Sequence, residues 1–141
     1  GMLGMGLAME ETGASLWLAD NMTSGITALV APQWQPYVML ACIYLLTNIL
    51  TETLSNNAAA VLMATLAIGI AESLGVSMRP FLFAVAVAAS ASFATPIGYQ
   101  TNTYVYGAGG YRFSDFAKAG IPLNILCFII SIIIIPMIWE F

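Results

Sequence analysis

The sequence predicts an all-α integral membrane chain: one inverted repeat with a re-entrant helical hairpin, a broken helix and a final transmembrane span. Three observations predict it. Residues 38–71 are apolar for longer than one span needs and hold a polar knot at their centre. A second apolar stretch, 80–107, is interrupted by Pro96 and Gly98. Only 7% of the 141 residues are charged and 60% are hydrophobic, against about 25% charged in soluble domains.

The first observation carries most weight. The stretch reads VMLACIYLLTNIL, then TETLSNN, then AAAVLMATLAIGIA, so Thr51, Glu52, Thr53, Ser55, Asn56 and Asn57 sit together. In hydrocarbon such a cluster is costly unless its groups face one another, water or an ion. The apolar halves, 38–50 and 58–71, are each too short for a core of about 30 Å. One uninterrupted helix of 34 residues would be roughly 50 Å long and would leave Glu52 and Asn56 in lipid. A hairpin within 37–74 that enters and turns back solves both problems, and secondary transporters build midplane sites in this way.

The other elements follow in order. Residues 1–30 read as a helix end and then an interfacial helix near 14–24, interrupted by Thr12-Gly13. APQWQP at 31–36 is a proline-bounded turn, with Trp34 and Tyr37 as headgroup-level anchors. Gly75 ends the hairpin, and Pro80 stands at a tolerated first-turn position of the next helix. Residues 80–93 form a half-length helix dense in Ala and Ser, suited to close helix approach. Pro96 and Gly98 then unwind the chain, and Thr95, Gln100, Thr101 and Asn102 supply polar groups at the break. A short helix of about 102–107 completes the broken helix, which spans 80–107. After a polar loop at 108–116, residues 117–139 form the uncomplicated span, with Trp139 as its anchor.

No second copy of this pattern occurs, and the chain opens on Gly1 in mid-pattern without a basic leader. Both features suggest a fragment of a longer transporter whose N-terminal inverted repeat lies elsewhere. Arg112 and Lys118 against Arg79 place the 108–118 loop in the cytoplasm. The expected location is integral and multi-pass, in the plasma (inner) membrane, with the lipid bilayer as partner.

Exclusions are informative. No basic cluster suits nucleic acid. There is no histidine and no CxxC, and Cys42 and Cys127 read as small buried hydrophobes, so no transition-metal site and no cofactor is expected. The lack of His, paired Asp or a Ser–Lys arrangement argues against an intramembrane enzyme. What remains is oxygen-rich and mostly neutral, which suits a hard monovalent cation such as Na⁺. The N-terminus of the second hairpin half, pointing at the tip, favours an anion beside it. Glu52 is a possible coupling residue, as a proton or cation carrier, or else a structural partner.

LTETLSNNAAAVLM resembles the hairpin tip of the divalent anion/sodium symporter family, whose tip carries a Ser-Asn-Thr motif. ASFATPIGYQTNTYVYGAGGYRFSDFAKAGIPLNI resembles that family's later broken helix, loop and final span. The resemblance covers nearly the whole chain, as the C-terminal repeat, and is nearest to the citrate-transporter-like branch that often carries TrkA-C domains. It implies a homodimeric carrier in which tip and loop hold sodium and touch an anion such as sulfate or a dicarboxylate. By position it implicates Thr51, Ser55, Asn56, Ala94 and Gly98 for Na⁺, and Ser55, Asn56, Asn57, Thr95 and Pro96 for the anion. Asn57 stands where the motif has threonine, and Ile97-Gly98 where dicarboxylate carriers have Pro-Asn. With no Arg or Lys near either break, these departures weigh against a dicarboxylate. Other readings are an antiporter of the same superfamily, for arsenite or Na⁺/H⁺, and a non-transporting membrane assembly subunit.

Overall fold

The computed structural model describes Gly4, Ala8 and residues 11–141. The helix end expected near the N-terminus therefore lies mostly outside the described residues. Among the described residues the ordered elements are helical: α1 (Ala14–Thr27), a 3-10 turn (Pro32–Trp34), α2 (Gln35–Thr51), α3 (Asn56–Leu74), α4 (Arg79–Ser90), α5 (Gln100–Gly109) and α6 (Phe113–Ile138).

The polar knot is a turn between two helices. α2 runs out at Thr51, and Ser55 starts α3 as its N-cap, its hydroxyl accepting from the Ala58 N–H at 3.3 Å. Serine is favoured there because a helix start leaves main-chain N–H groups without partners. Both arms exceed the lengths read from apolarity alone. α2 has 17 residues and α3 has 19, about 25 and 28 Å. The sequence reading stopped at the polar residues, but Thr51, Asn56 and Glu72 all lie inside helices.

The core is a set of matched helical faces. Met39, Leu40, Ile43 and Tyr44 of α2 are fully buried, and their spacing of three and four places them on one side. They join Met63, Leu66, Ala67 and Ile70 of α3 and Phe81, Ala84, Val85 and Ala88 of α4 in one cluster. The alanines of α4 let it lie close to both arms of the hairpin. α1 packs against α3 through fully buried Ala19, with a bond from the Ser73 hydroxyl to Asp20. It extends three residues past the expected 24.

The remaining differences have local causes. α4 ends at Ser90, short of the expected 93, because side chains from elsewhere take up its last carbonyls, as described below. α5 has ten residues, 100–109, where the sequence marked 102–107. α6 begins at Phe113 because Asp115 accepts from the Arg112 N–H at 2.9 Å, closing a capping box. At 26 residues it continues through Pro122 and Pro136. Most of its surface is exposed and apolar, including Ile121, Ile125, Ile129 and Ile133, as expected of a helix surrounded by hydrocarbon or other apolar helices. Trp139 stacks on Phe83 with ring centroids 3.8 Å apart, so it packs on α4 as well as marking the helix end.

Gly75 closes α3 at φ 66°. Its N–H reaches Glu72 O, and the Val76 N–H reaches Ala71 O at 3.0 Å, the double closure of a left-handed helix end. A side chain there is strained. Gly75→Ala is expected to destabilise the protein by about 1 kcal/mol, with Gly75→Asn milder because asparagine tolerates this conformation. Thermal unfolding of the full-length protein in detergent checks the order.

Candidate functional site

Asn48, Thr51 and Glu52 stand three and four residues apart, so they share one face of α2. That face meets the end of α4 and the unwound segment 91–99. Asn48 donates to Ala91 O at 2.6 Å, and Thr51 Oγ1 lies 2.7 Å from Ala89 O. From α5, Asn102 donates to Ser92 O at 3.0 Å and Thr95 O at 3.1 Å. A helix end leaves carbonyls unpaired, and here three side chains from two other helices accept that role. The helix can therefore stop at depth without orphaned acceptors.

Glu52 secures the other side of the segment. Its carboxylate is only 9% exposed as a residue. Oε1 accepts from the Ala94 N–H at 2.9 Å and from Asn124 Nδ2 at 2.8 Å, and Oε2 accepts from the Thr95 N–H at 2.9 Å. The main chain of the same turn is tied as well. Thr95 Oγ1 donates to Glu52 O at 2.9 Å, and Ser92 Oγ donates to Thr51 O at 3.1 Å. Tip and loop are thus joined by side chains in both directions.

In front of this joint lies a groove of about 430 Å³, walled by Ser55, Asn56, Asn57, Gly98, Tyr99 and Gln100 among others. The first turns of α3 and α5 both border it. Helix starts carry partial positive charge. Among the described residues no Asp, Glu, Lys or Arg lines the groove. Arg79 begins α4 and so lies a whole helix away from the loop that ends it. Among the described residues no group of three His, Cys, Asp or Glu could hold a metal, so a cation here would rest on neutral oxygens.

The structure sorts the sequence-derived site residues into two sets. Ser55, Asn56, Asn57 and Gly98 face the groove. Thr51, Ala94, Thr95 and Pro96 support it from behind. Thr51 is fully buried, with Oγ1 also 2.8 Å from Asn56 Oδ1. One hydroxyl has one proton. Turning the Asn56 amide would let its nitrogen donate to Thr51, leave the hydroxyl proton to Ala89 and aim Oδ1 elsewhere. Thr95 Oγ1 accepts from the Gly98 N–H at 3.0 Å, and Pro96 O accepts from Thr103 at 2.8 Å. Glu52 sits behind the groove with both oxygens engaged. Of the tyrosines, Tyr99 lines the groove, while Tyr106 and Tyr111 pack edge-on against Phe116.

Sequence reasoning missed Asn48, Ser92, Gly120 and Asn124. Asn124 had a signal: it is a lone amide in an otherwise apolar span, which is expensive without a partner. Asn48 could have been read from its helical spacing to Glu52. Gly120 had none, since a lone glycine in a helix has many explanations.

Gly98 admits no side chain. A Cβ there would stand 1.9 Å from Ser92 Oγ and 3.1 Å from Glu52 Oε2. Gly98→Ala should therefore destabilise the folded protein by about 1–3 kcal/mol, the usual range for overpacking. Adding Ser92→Ala removes the nearest clashing atom. The double variant should recover part of the loss, and a double-mutant cycle on thermal unfolding measures the coupling.

The sequence model of a family described as citrate transporter matches residues 1–88. An uncharacterized transporter of Synechocystis is 44% identical over 139 residues, covering 99% of this chain and 22% of that protein. Sodium/sulfate cotransporter 2 of Chlamydomonas reinhardtii is 34% identical over 128 residues, covering 91% of this chain and 14% of that protein. Solute carrier family 13 member 2 of mouse is 31% identical over 129 residues, covering 89% and 21%. The chain spans between about a seventh and a fifth of the length of these relatives. The family model covers the hairpin, and the match to the Synechocystis protein, over 99% of the chain, takes in the break and the last helix as well; family and relatives are transporters of the membrane by name, not enzymes. The chain belongs to the citrate transporter family, within the divalent anion/sodium symporter group that its tip and loop resemble.

Proposed function

We propose that this chain is the part of a cation-coupled secondary transporter, its C-terminal repeat, that holds one ion and contacts one small anion. The observation that carries the reading is the groove, where two helix starts and uncharged amides and hydroxyls converge with no fixed cation. Neutral donors and helix N-termini suit a fully ionised anion that must be released again. Sulfate fits better than a dicarboxylate, since no Arg or Lys lines the groove to pair with two carboxylates. The names of relatives such as sodium/sulfate cotransporter 2 support this direction.

Na⁺ is the proposed coupling ion. It would rest on neutral oxygens of Ser55 and Asn56 at the tip and on the carbonyls of Ala94 and Gly98 in the loop, with Thr51 orienting Asn56. The anion would meet Ser55, Asn56 and Asn57, with Thr95 and Pro96 shaping the wall. The hairpin and the break would move together past a scaffold by alternating access, with an N-terminal repeat and a dimer partner completing the carrier. Three donors already occupy Glu52, which favours a structural role for it over proton transport.

Uptake of labelled sulfate, phosphate and succinate into proteoliposomes of the full-length protein tests this. Sodium-driven uptake of sulfate is expected. Asn56→Ala should lower it at least tenfold, about the 1.5–3 kcal/mol of one hydrogen bond to a charged group. Uptake driven by pH alone, indifferent to sodium, would replace Na⁺ by H⁺. No anion uptake under either gradient would transfer the weight to the antiporter or assembly reading.

A further inference from the structure

We propose that Asn124 and Gly120 of α6 are positioning residues for the cation site, setting through Glu52 the direction of the loop carbonyls. The inference rests on the reading of Ala94 as an ion ligand.

The argument starts from the peptide plane. In a trans peptide the N–H and the preceding C=O point in opposite directions, and no cis peptide occurs among the described residues. Glu52 takes the N–H of Thr95, so the Ala94 carbonyl must point away from Glu52. Glu52 also takes the N–H of Ala94, so the Phe93 carbonyl must point away too. That carbonyl runs into α6 at Gly120. A Cβ on residue 120 would lie 2.1 Å from Phe93 O, 2.3 Å from Phe93 C and 2.5 Å from Ala94 N. These are main-chain atoms, so the contact cannot be relieved by turning a side chain. Glycine at 120 is what permits the carbonyl orientation that the carboxylate imposes.

Asn124 lies one turn further on the same face of α6. It is the donor to Glu52 that comes from outside the loop, at 2.8 Å. Its own Oδ1 is buried without a partner. A buried acceptor without a partner is costly, and reversing the amide would set two oxygens against each other. The orientation is therefore dictated by the carboxylate, at the expense of the amide. The same face continues to Phe128, which meets Tyr44 of α2 edge-on at 5.4 Å. The last span thus fixes the hairpin and the loop together at two levels.

The test uses the full-length protein in proteoliposomes and separates sodium half-saturation from the anion KM at saturating sodium. Asn124→Ala and Gly120→Ala should raise the sodium half-saturation about tenfold or more, the scale of outer-shell changes at metal sites, while the anion KM stays nearly constant. Asn124→Leu keeps the approximate shape but loses the donor and cannot regain one by taking up a proton, so it should behave no better than Asn124→Ala. An additional probe is independent of transport. In a background with every cysteine of the full-length protein replaced by serine, Cys42 and Cys127 included, Ile97→Cys places a thiol on the exposed loop. Its alkylation should be faster when Asn124→Ala is added.

A fall in maximal rate alone, with sodium half-saturation and alkylation unchanged, would overturn the proposal, as would a near-normal Asn124→Leu. If wild-type uptake ignores sodium, the coupling reading fails by itself. Alkylation then decides: acceleration upholds the positioning role, and an unchanged rate refutes it.

Discussion

A buried carboxylate bound to two successive main-chain N–H groups is the interaction on which this structure turns. Glu52 without partners would be expensive at this depth, by several kcal/mol. An unwound segment in an apolar surrounding would be expensive for the same reason, since each of its amides lacks a carbonyl. Glu52 and the 94–95 amides satisfy each other. Neither the charged residue in the hairpin nor the break in the neighbouring helix would be stable alone. Together they define where the tip must sit relative to the loop.

The rest of the local sequence accommodates this pairing. Thr51 and Asn48 cap the carbonyls freed when α4 stops, and Asn102 takes those further along. Gly98 leaves room for Ser92 and Glu52, and Gly120 leaves room for the displaced Phe93 carbonyl. These residues lie on three separate helices and one loop, yet each responds to the direction of a peptide group. The groove in front is uncharged because the carboxylate points backwards, into the joint.

The hairpin, the break and the last span were legible because membranes make their physics severe. A polar knot inside a long apolar run, or Pro96 and Gly98 inside another, has few inexpensive explanations. Ser55, Asn56 and Asn57 stand out in the sequence for that reason, and the structure sets them along the groove. Helix limits were less legible, because apolarity does not register where capping ends a helix. Ser90 closes α4 since its carbonyls find partners 38 to 43 residues away, a fact no local window contains. The division between groove-facing Asn56 and supporting Thr95 was hidden similarly, because both are polar residues beside a break. Asn124 and Gly120 become meaningful only once the fold brings α6 against residue 93.

An uncharged groove has a consequence for coupling. A guanidinium held in a low-dielectric site would attract an anion strongly, because the Coulomb energy grows as the dielectric falls. Helix starts contribute much less, about 0.3–1 kcal/mol each where exposed. In the proposed site the missing positive charge is supplied by the bound cation at the tip. The anion would then bind well only when the cation is present, and by linkage the cation would bind better when the anion is present. A fixed arginine would abolish this dependence, since the anion could load alone. On the proposed reading, the absence of charge from the lining and the placing of Glu52 behind it belong to one design: the wall stays neutral so that the travelling ion would carry the electrostatics.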